Sequence, residues 1–376
     1  MFDSSDSEGR PRVSVAMPVH NSGRANLESS IRSVLAQTLP QVELVCVDDA
    51  STDCSREVLC GFAARDRRLR VICFPENKGT LAARTAAIAA ATGDYIVPLD
   101  PDDSLKPDAC SRLCEAMDEN GWTMAQFGMN LLFDGAKIDA GRREGLERWF
   151  SPEAGGECSF AEFAHDAFVR NSRSWTMIAK VFRRKELVSA LETLPQGHCV
   201  SYEDALALLA FLETCDGRVG LIVDKLYDYK WGQGISTASA FSEARVRSMI
   251  DSAIFVARFL ETRRSMYASA FARLLFQNTV SDIVYRIRPG ILRRKGLEWL
   301  AEGVSLPMLN RAFADLKISH AFFSRCGLVL KLLLARKPDR RRRLRRRLAL
   351  ARRIASLRRL LCHTSKPSPQ MRCITP

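Results

Sequence analysis

The sequence predicts an α/β fold built on a mostly parallel sheet, and three observations predict it. Short β-branched runs alternate with helically spaced apolar segments over residues 13–99, the pattern of strands joined by crossover helices. Three of these runs end in polar clusters, His20-Asn21, Asp48-Asp49 and Asp100 to Asp103, and in such sheets ligands bind beyond the carboxyl ends of the strands. A chain of 376 residues, 47% apolar and 26% charged, can bury a full core, which excludes disorder as its dominant state.

The elements follow in order. Val13 to Val19 is a strand ending in Pro18-Val19-His20-Asn21, and Leu27 to Leu35 has the apolar spacing of a helix. Val42 to Val47 reads as a buried strand ended by Asp48-Asp49, after which Ser51-Thr52 can cap a helix running to Ala64. Val71 to Phe74 is a third strand and Asn77-Lys78-Gly79 a turn. Thr80 to Ala91 is an alanine-rich helix that Gly93 breaks before a fourth strand, Tyr95 to Leu99. From Trp122 the alternation loosens, with Gly-, Ser- and charge-rich loops from Asp134 to Ser159 and a helix over Tyr202 to Leu212. Gly232-Gln233-Gly234 marks a further loop. Residues 241–335 read as almost wholly helical, with Ser248 to Thr262, Met266 to Arg286 and Lys331 to Arg336 among the pieces, which places a boundary near Ala240.

The formal net charge of +13 is local. Thirteen basic residues against one acidic, Asp339, lie between Arg336 and Leu361, so the main body is balanced and a nucleic-acid reading concerns the tail alone. Twelve cysteines are dilute in a chain of this length and never spaced Cys-x-x-Cys, which reads as buried small hydrophobes in a reducing compartment. The opening MFDSSDSEGRPR is polar and acidic, unlike a secretory signal, and the apolar stretch from Gly327 to Ala335 is too short to span a bilayer. The expected location is cytoplasmic, with peripheral attachment at the inner face of the cell membrane.

Asp100-Pro101-Asp102-Asp103 packs three carboxylates into four positions, where repulsion is costly unless a cation or hydrogen bonds answer it. Hard oxygen ligands of this kind suit Mg²⁺ or Mn²⁺ held together with substrate phosphates. The competing reading is an Asp-Pro turn with Asp103 or Ser104 capping the next helix. Asp48-Asp49 is open in the same way between a turn and a ligand for the N–H donors of a base or the hydroxyls of a ribose. Lys78 and Arg84 could meet a diphosphate, or be ordinary surface charges.

Four stretches, VSVAMPVHN (Val13 to Asn21), VCVDDASTDCS (Val45 to Ser55), ENKGTLAAR (Glu76 to Arg84) and GDYIVPLDPDD (Gly93 to Asp103), together resemble the consecutive motifs of family 2 glycosyltransferases of the GT-A fold. The resemblance continues more weakly through SWTMIAKVFRR (Ser174 to Arg184), YEDALALLAF (Tyr202 to Phe211) and LYDYKWGQGIST (Leu226 to Thr237). It implies an αβα sandwich of the nucleotide-diphospho-sugar transferase type over 13–240, preceded by a disordered leader at 1–12 and followed by the helical region 241–335. Carried over by position, it implies that Pro18, His20 and Asn21 line the nucleotide site, that Asp49 contacts the base and that Arg84 lies near it. It also implies that Asp100 faces the ribose, Asp102 the metal on the diphosphate, and that Asp204 is the catalytic base. Without the resemblance Asp204 is equally a carboxylate placed by a helix dipole.

The implied reaction is metal-dependent, inverting transfer from a nucleotide-diphospho-sugar to a saccharide, lipid-linked or protein acceptor, with Mn²⁺ or Mg²⁺ as cofactor. Processive polymer synthases of the family carry Gln-x-x-Arg-Trp, whereas the matching region here reads Tyr229-Lys230-Trp231-Gly232-Gln233-Gly234, so single-sugar, non-processive transfer in bacterial surface polysaccharide or glycoconjugate synthesis is expected. The alternatives are a catalytically silent binding protein and a nucleotidyltransferase; PVHNSGRAN is a poor version of the latter's Gly-rich loop, and intact Asp100, Asp102 and Asp204 argue against the former. In 336–361, Leu344, Leu348, Ala351, Ile354, Leu357 and Leu361 form a narrow apolar stripe on an arginine-covered helix, which fits an anionic membrane surface better than a protein partner or nucleic acid. A disordered tail over 362–376 completes the chain.

Overall fold

β1 (Val13–Val19) is buried along its whole length on both faces, as a central strand of a parallel sheet must be. In the computed structural model of the chain, residues 9–133, 138–231, 242–263, 265–283, 295, 296 and 299 are described. After β1 come α1 (Arg24–Leu35), β2 (Val42–Asp48), α2 (Ser55–Ala63), β3 (Leu69–Cys73), α3 (Thr80–Ala90) and β4 (Tyr95–Pro98). β1 pairs in parallel with β2 on one side and β4 on the other, and β3 extends the sheet beyond β2. Val13, Val15, Met17 and Val19 share one core with Leu27, Ile31 and Val34 of α1. The buried Ala83 and Ala87 let α3 lie close on β1 and β2.

The chain then adds β5 (Ser104–Leu105), α4 (Ala109–Asn120), β6 (Met124–Phe133), α5 (Ala140–Phe150), β7 (Gly156–Ser159) and α6 (Phe160–Ala164), which continues as a π-helical turn over His165–Arg170. β8 (Lys180–Arg183), α7 (Arg184–Leu191), α8 (Glu203–Thr214) and β9 (Arg218–Trp231) follow. The sheet runs β3-β2-β1-β4-β8-β6-β9-β5, with β7 also paired to β9. β8 is antiparallel to both β4 and β6, while β6 and β9 are parallel.

These elements fall in the first of two units, Met1–Ser239 with Ser265–Ala270; the second is Ala240–Arg264 with Phe271–Pro376. In the second, α9 (Glu243–Thr262) is capped by Ser242, which accepts the Arg245 N–H, and it buries Val246, Ile250, Ala253, Val256, Ala257 and Leu260. α10 (Met266–Ser281) follows. Among the described residues no helix is long and apolar enough to cross a membrane. The 232–237 loop, the 331–336 helix, the basic segment 336–361 and the tail lie outside the described residues.

Several local expectations need correction. Ser51-Thr52 caps no helix: Asn21 Oδ1 accepts the backbone N–H groups of Thr52 and Asp53, and α2 starts only at Ser55. Neither Asp103 nor Ser104 caps the following helix, because Ser104–Leu105 pairs with β9 and α4 begins at Ala109. Residues 9–12 of the leader are tied down, with Arg10 paired to Asp94 and Arg12 to Asp94 and Asp118.

The junction between α3 and β4 shows how tightly the parallel core is set. Ser14 Oγ donates to Glu43 Oε1 at 2.6 Å, and the same oxygen accepts from the Thr92 N–H and hydroxyl at 2.6 and 2.8 Å. Burial alone would raise the Glu43 carboxyl, but these bonds and one from Arg70 hold it below its usual value. Gly93 N–H donates to Ser14 Oγ, and a Cβ at Gly93 would stand 2.7 Å from that oxygen and 2.9 Å from the Ser14 nitrogen. Gly93→Ala is therefore expected to destabilise by about 1–3 kcal/mol, seen in urea melts as a lower midpoint with unchanged slope.

Candidate active site

The register of the parallel core brings the polar strand ends together. Val19 pairs with Asp48 and Ala16 with Pro98, so His20-Asn21, Asp49 and Asp100 emerge from neighbouring strands. Pro18 is buried within β1. His20 Nδ1 donates to the Asp49 carbonyl at 2.7 Å; in the neutral ring Nε2 then accepts, and the Asn21 amide lies 3.1 Å from it. Asn77 also reaches the His20 ring, and its Oδ1 accepts from His198 Nε2 at 3.0 Å. Asn21 sits at φ 50°, a left-handed conformation that Asn tolerates, and its Oδ1 fixes the 52–53 turn.

Asp49, expected at a base, has its carboxylate on the chain itself: it accepts the N–H groups of Lys78 at 2.6 Å and Gly79 at 2.9 Å. Gly79 has φ +87°, and a Cβ there would lie 2.8 Å from the Cys199 nitrogen, so only glycine fits. Leu81 N–H donates to the Cys199 carbonyl, strapping the segment before α8 to the first turn of α3.

Arg84, on α3 and only 4% exposed at its side chain, is the centre of a charge cluster. Its Nη2 lies 3.2 Å from Asp100 Oδ1, 3.3 Å from Asp204 Oδ1 and 3.9 Å from Glu203 Oε1. Burial acts to lower the Arg84 pKa, but the three carboxylates outweigh it and hold the guanidinium charged. Burial raises both Glu203 and Asp204, their mutual repulsion adds to the rise at Glu203, and Arg84 opposes it at both. At Asp204 the Lys180 charge and the Met177 backbone also act against the rise.

Asp103 faces away from this cluster. Its Oδ2 accepts from the Tyr227 hydroxyl at 2.7 Å and its Oδ1 from the Lys230 N–H at 2.9 Å, while the Asp100 N–H donates to the Tyr227 oxygen. It thereby fixes the 100–103 turn to β9 and leaves Asp102 as the carboxylate without such a tie. Burial, then the Asp100 charge, pushes Asp102 up to about 6, against the pull of Lys230. Asp102 is thus an under-neutralised hard oxygen donor beside an Asp100 that Arg84 already pairs. Among the described residues no three metal-ligating side chains converge; a hard cation such as Mg²⁺ or Mn²⁺ takes one or two carboxylates together with substrate phosphate oxygens and water. The residues fit the implied ion.

Lys180 and Glu203 are members of the site that the sequence did not single out. Phe182 of β8 packs edge-on against Phe211 of α8 at 5.1 Å, which turns that face of β8 to the helix, and Lys180 shares the face two residues along. Lys180 is fully buried, and its Nζ has no hydrogen-bond partner among the described residues. Burial pushes it down to about 7, with Asp204 opposing the fall and Arg173 adding to it. The Glu-Asp pair at the start of α8 was visible as a pair, but Lys180 carried no signal beyond its place in SWTMIAKVFRR.

A parallel βαβ core with acidic strand ends, extended through an antiparallel strand to a helix that opens on Glu203-Asp204, has the architecture of the GT-A-type fold. Residues 14–152 match the model of glycosyl transferase family 2. Over 131 residues it is 37% identical to TuaG of Bacillus subtilis (strain 168), named for teichuronic acid biosynthesis, covering 35% of this chain and 52% of that one. Over 129 residues it is 35% identical to the succinoglycan biosynthesis protein ExoO of Rhizobium meliloti (strain 1021), covering 34% and 36%. The matches span about half the length, or less, of these curated relatives. The crystal structure of S. aureus TarS 1–349 in complex with UDP-GlcNAc superimposes with a TM-score of 0.57 at 18% identity, over 89% of this chain and 90% of that one, which shows the shared fold.

The buried amine gives the site a pH signature in stability. An unfolded lysine keeps its proton to about pH 10.4, whereas folded Lys180 releases it near 7, so between these values the unfolded state holds the extra proton and stability rises with pH. Lys180→Met removes that dependence. The variant is expected to melt above the parent at pH 6, where the parent buries the charge, and the gap to narrow by pH 9; thermal melts across this range measure it.

Proposed function

We propose that this chain transfers a single sugar from a nucleotide-diphospho-sugar to an acceptor hydroxyl with inversion, in surface polysaccharide or glycoconjugate synthesis. The observation that carries the reading is the gathering of Asp100, Glu203 and Asp204 from separate elements around Arg84. In this scheme Pro18, His20 and Asn21 border the nucleotide, with Asp49 shaping the Lys78–Gly79 turn beside it. Asp100 faces the ribose, and Asp102 holds the cation together with the diphosphate. A divalent ion bound there supplies positive charge to the departing diphosphate.

The acceptor oxygen forms its bond to the anomeric carbon as the bond to the diphosphate oxygen breaks, and the nucleotide diphosphate leaves with the electron pair. Asp204 takes the hydroxyl proton on the side opposite the leaving group. Its raised pKa suits that task, since a base works best when its pKa approaches the working pH. Arg84 holds Asp204 ionised and aimed, and Glu203 shares the guanidinium. The names of TuaG and ExoO support a polysaccharide setting. The charge between Arg336 and Leu361 supports attachment to an anionic membrane surface on the cytoplasmic side.

A thermal-shift panel of nucleotide diphosphates and their sugars, with and without Mn²⁺, tests the donor site. A ligand at 100 times its Kd stabilises by about 2.7 kcal/mol. Asp102→Ala is expected to abolish the metal-dependent part of diphosphate binding and spare the nucleoside; equal losses for both would move Asp102 off the diphosphate.

Asp204→Asn is expected to keep donor affinity and lower turnover by about 10²–10⁴-fold. In the parent, kcat/KM should rise with pH through a carboxylate pKa above the ordinary value of about 3.9, because the base acts when deprotonated. Parental turnover in the asparagine variant sinks the assignment.

A further inference from the structure

The segments that meet at the base carry an aromatic surface. The Met177 backbone acts on Asp204, and the rings of Trp175 and Tyr202 meet, so residues 175–177 and 202–204 lie close together. Two residues out on each segment, the rings of Trp175 and Tyr202 approach with centroids 6.5 Å apart and planes tilted by 38°. Trp149 meets Trp175 edge-on at 5.5 Å, and Phe150 links Trp149 to Tyr229 at 4.7 and 5.6 Å.

Phe150 belongs to the core and Trp149 and Tyr229 pack against it, but the outer rings are not closed over. Phe127, Phe163, Phe168, Phe182 and Phe211 are fully buried, whereas Trp149, Trp175 and Tyr202 each keep part of their surface exposed. Tyr202 is held at φ 65°, a left-handed conformation that bulky residues rarely adopt and that surrounding structure must enforce. The surroundings are polar: Trp149 Nε1 donates to Asn171 Oδ1, and the Ser174 and Thr176 hydroxyls lie 2.7 Å apart.

We propose that Trp175 and Tyr202, backed by Trp149, form the acceptor subsite and that it takes a pyranose ring. The proposal rests on the reading of Asp204 as the base and adds the substrate class. A pyranose has a flat C–H face and a rim of hydroxyls, and a tryptophan or tyrosine offers a flat apolar face with a polar edge. Stiff aromatic side chains bind at low entropic cost, and a sugar stacked one residue pair away from Asp204 presents its hydroxyls to that carboxylate. A lipid chain would call for a continuous aliphatic groove, which Asn171 and Thr176 interrupt.

Saturation-transfer NMR on the full chain tests this, with UDP, diamagnetic Mg²⁺ and the methyl β-glycosides of glucose, galactose and N-acetylglucosamine as probes. The expected result is saturation of pyranose C–H protons by the parent, weakened roughly tenfold in Trp175→Ala and Trp175→Leu and largely restored in Trp175→Tyr, with the UDP signal unchanged. The leucine variant keeps apolar bulk if alanine fails to fold. UDP binding without any glycoside signal in the parent, or glycoside signals that persist in both truncations, overturns the subsite. Glycoside signals that depend on Trp175 without UDP binding support the subsite and count against the donor reading, so the two fail separately.

Discussion

A single buried guanidinium, shared among three carboxylates, is the constraint around which the rest of this fold is arranged. Arg84 cannot sit unpaired at 4% exposure, and Asp100, Glu203 and Asp204 cannot gather without it. The three partners come from the end of β4 and the start of α8, so the cluster holds the parallel core against elements that lie far along the chain. The cluster leaves capacity unused: Arg84 Nε and Nη1, Asp204 Oδ1 and Lys180 Nζ are buried without hydrogen bonds among the described residues. Such groups cost stability in a protein that only needs to fold, and they are the groups a charged substrate can engage.

Much of the parallel core was legible because its signals are local. A run such as VSVAMPV can hardly be anything but a doubly buried strand, and the glycines at 79 and 93 mark real points of close backbone approach. Boundaries and caps were less legible. Ser51-Thr52 has the composition of a cap, but Asn21, about thirty residues away, claims that turn first. Asp103 looked like a capping or metal-binding carboxylate and is instead a tie to Tyr227 and Lys230, a partnership no local window contains.

The site divides in the same way. Asp100, Asp102 and Asp204 stand out because acidic residues at strand and helix ends are conspicuous. Lys180 does not, since a lysine in a sequence is presumed to reach solvent, and only the pairing of β8 between β4 and β6 shows that this one cannot. Asp49 was readable as a polar strand end, and its hold on the 78–79 turn was not, because the partners there are backbone N–H groups that every residue carries.

The insertion of β8 has a consequence for how this unit could be divided or recombined. The segment that matches the family ends at residue 152, yet the strand that joins β4 to β6 is residues 180–183. A fragment cut at 152 would leave the edge of β4 bare and β6 without either of its neighbours, β8 and β9, each exposed strand a template for intermolecular pairing. The family match thus lies in a stretch that cannot close its own sheet, and a chimera that exchanged it between relatives would have to carry the later strands along as part of the same graft.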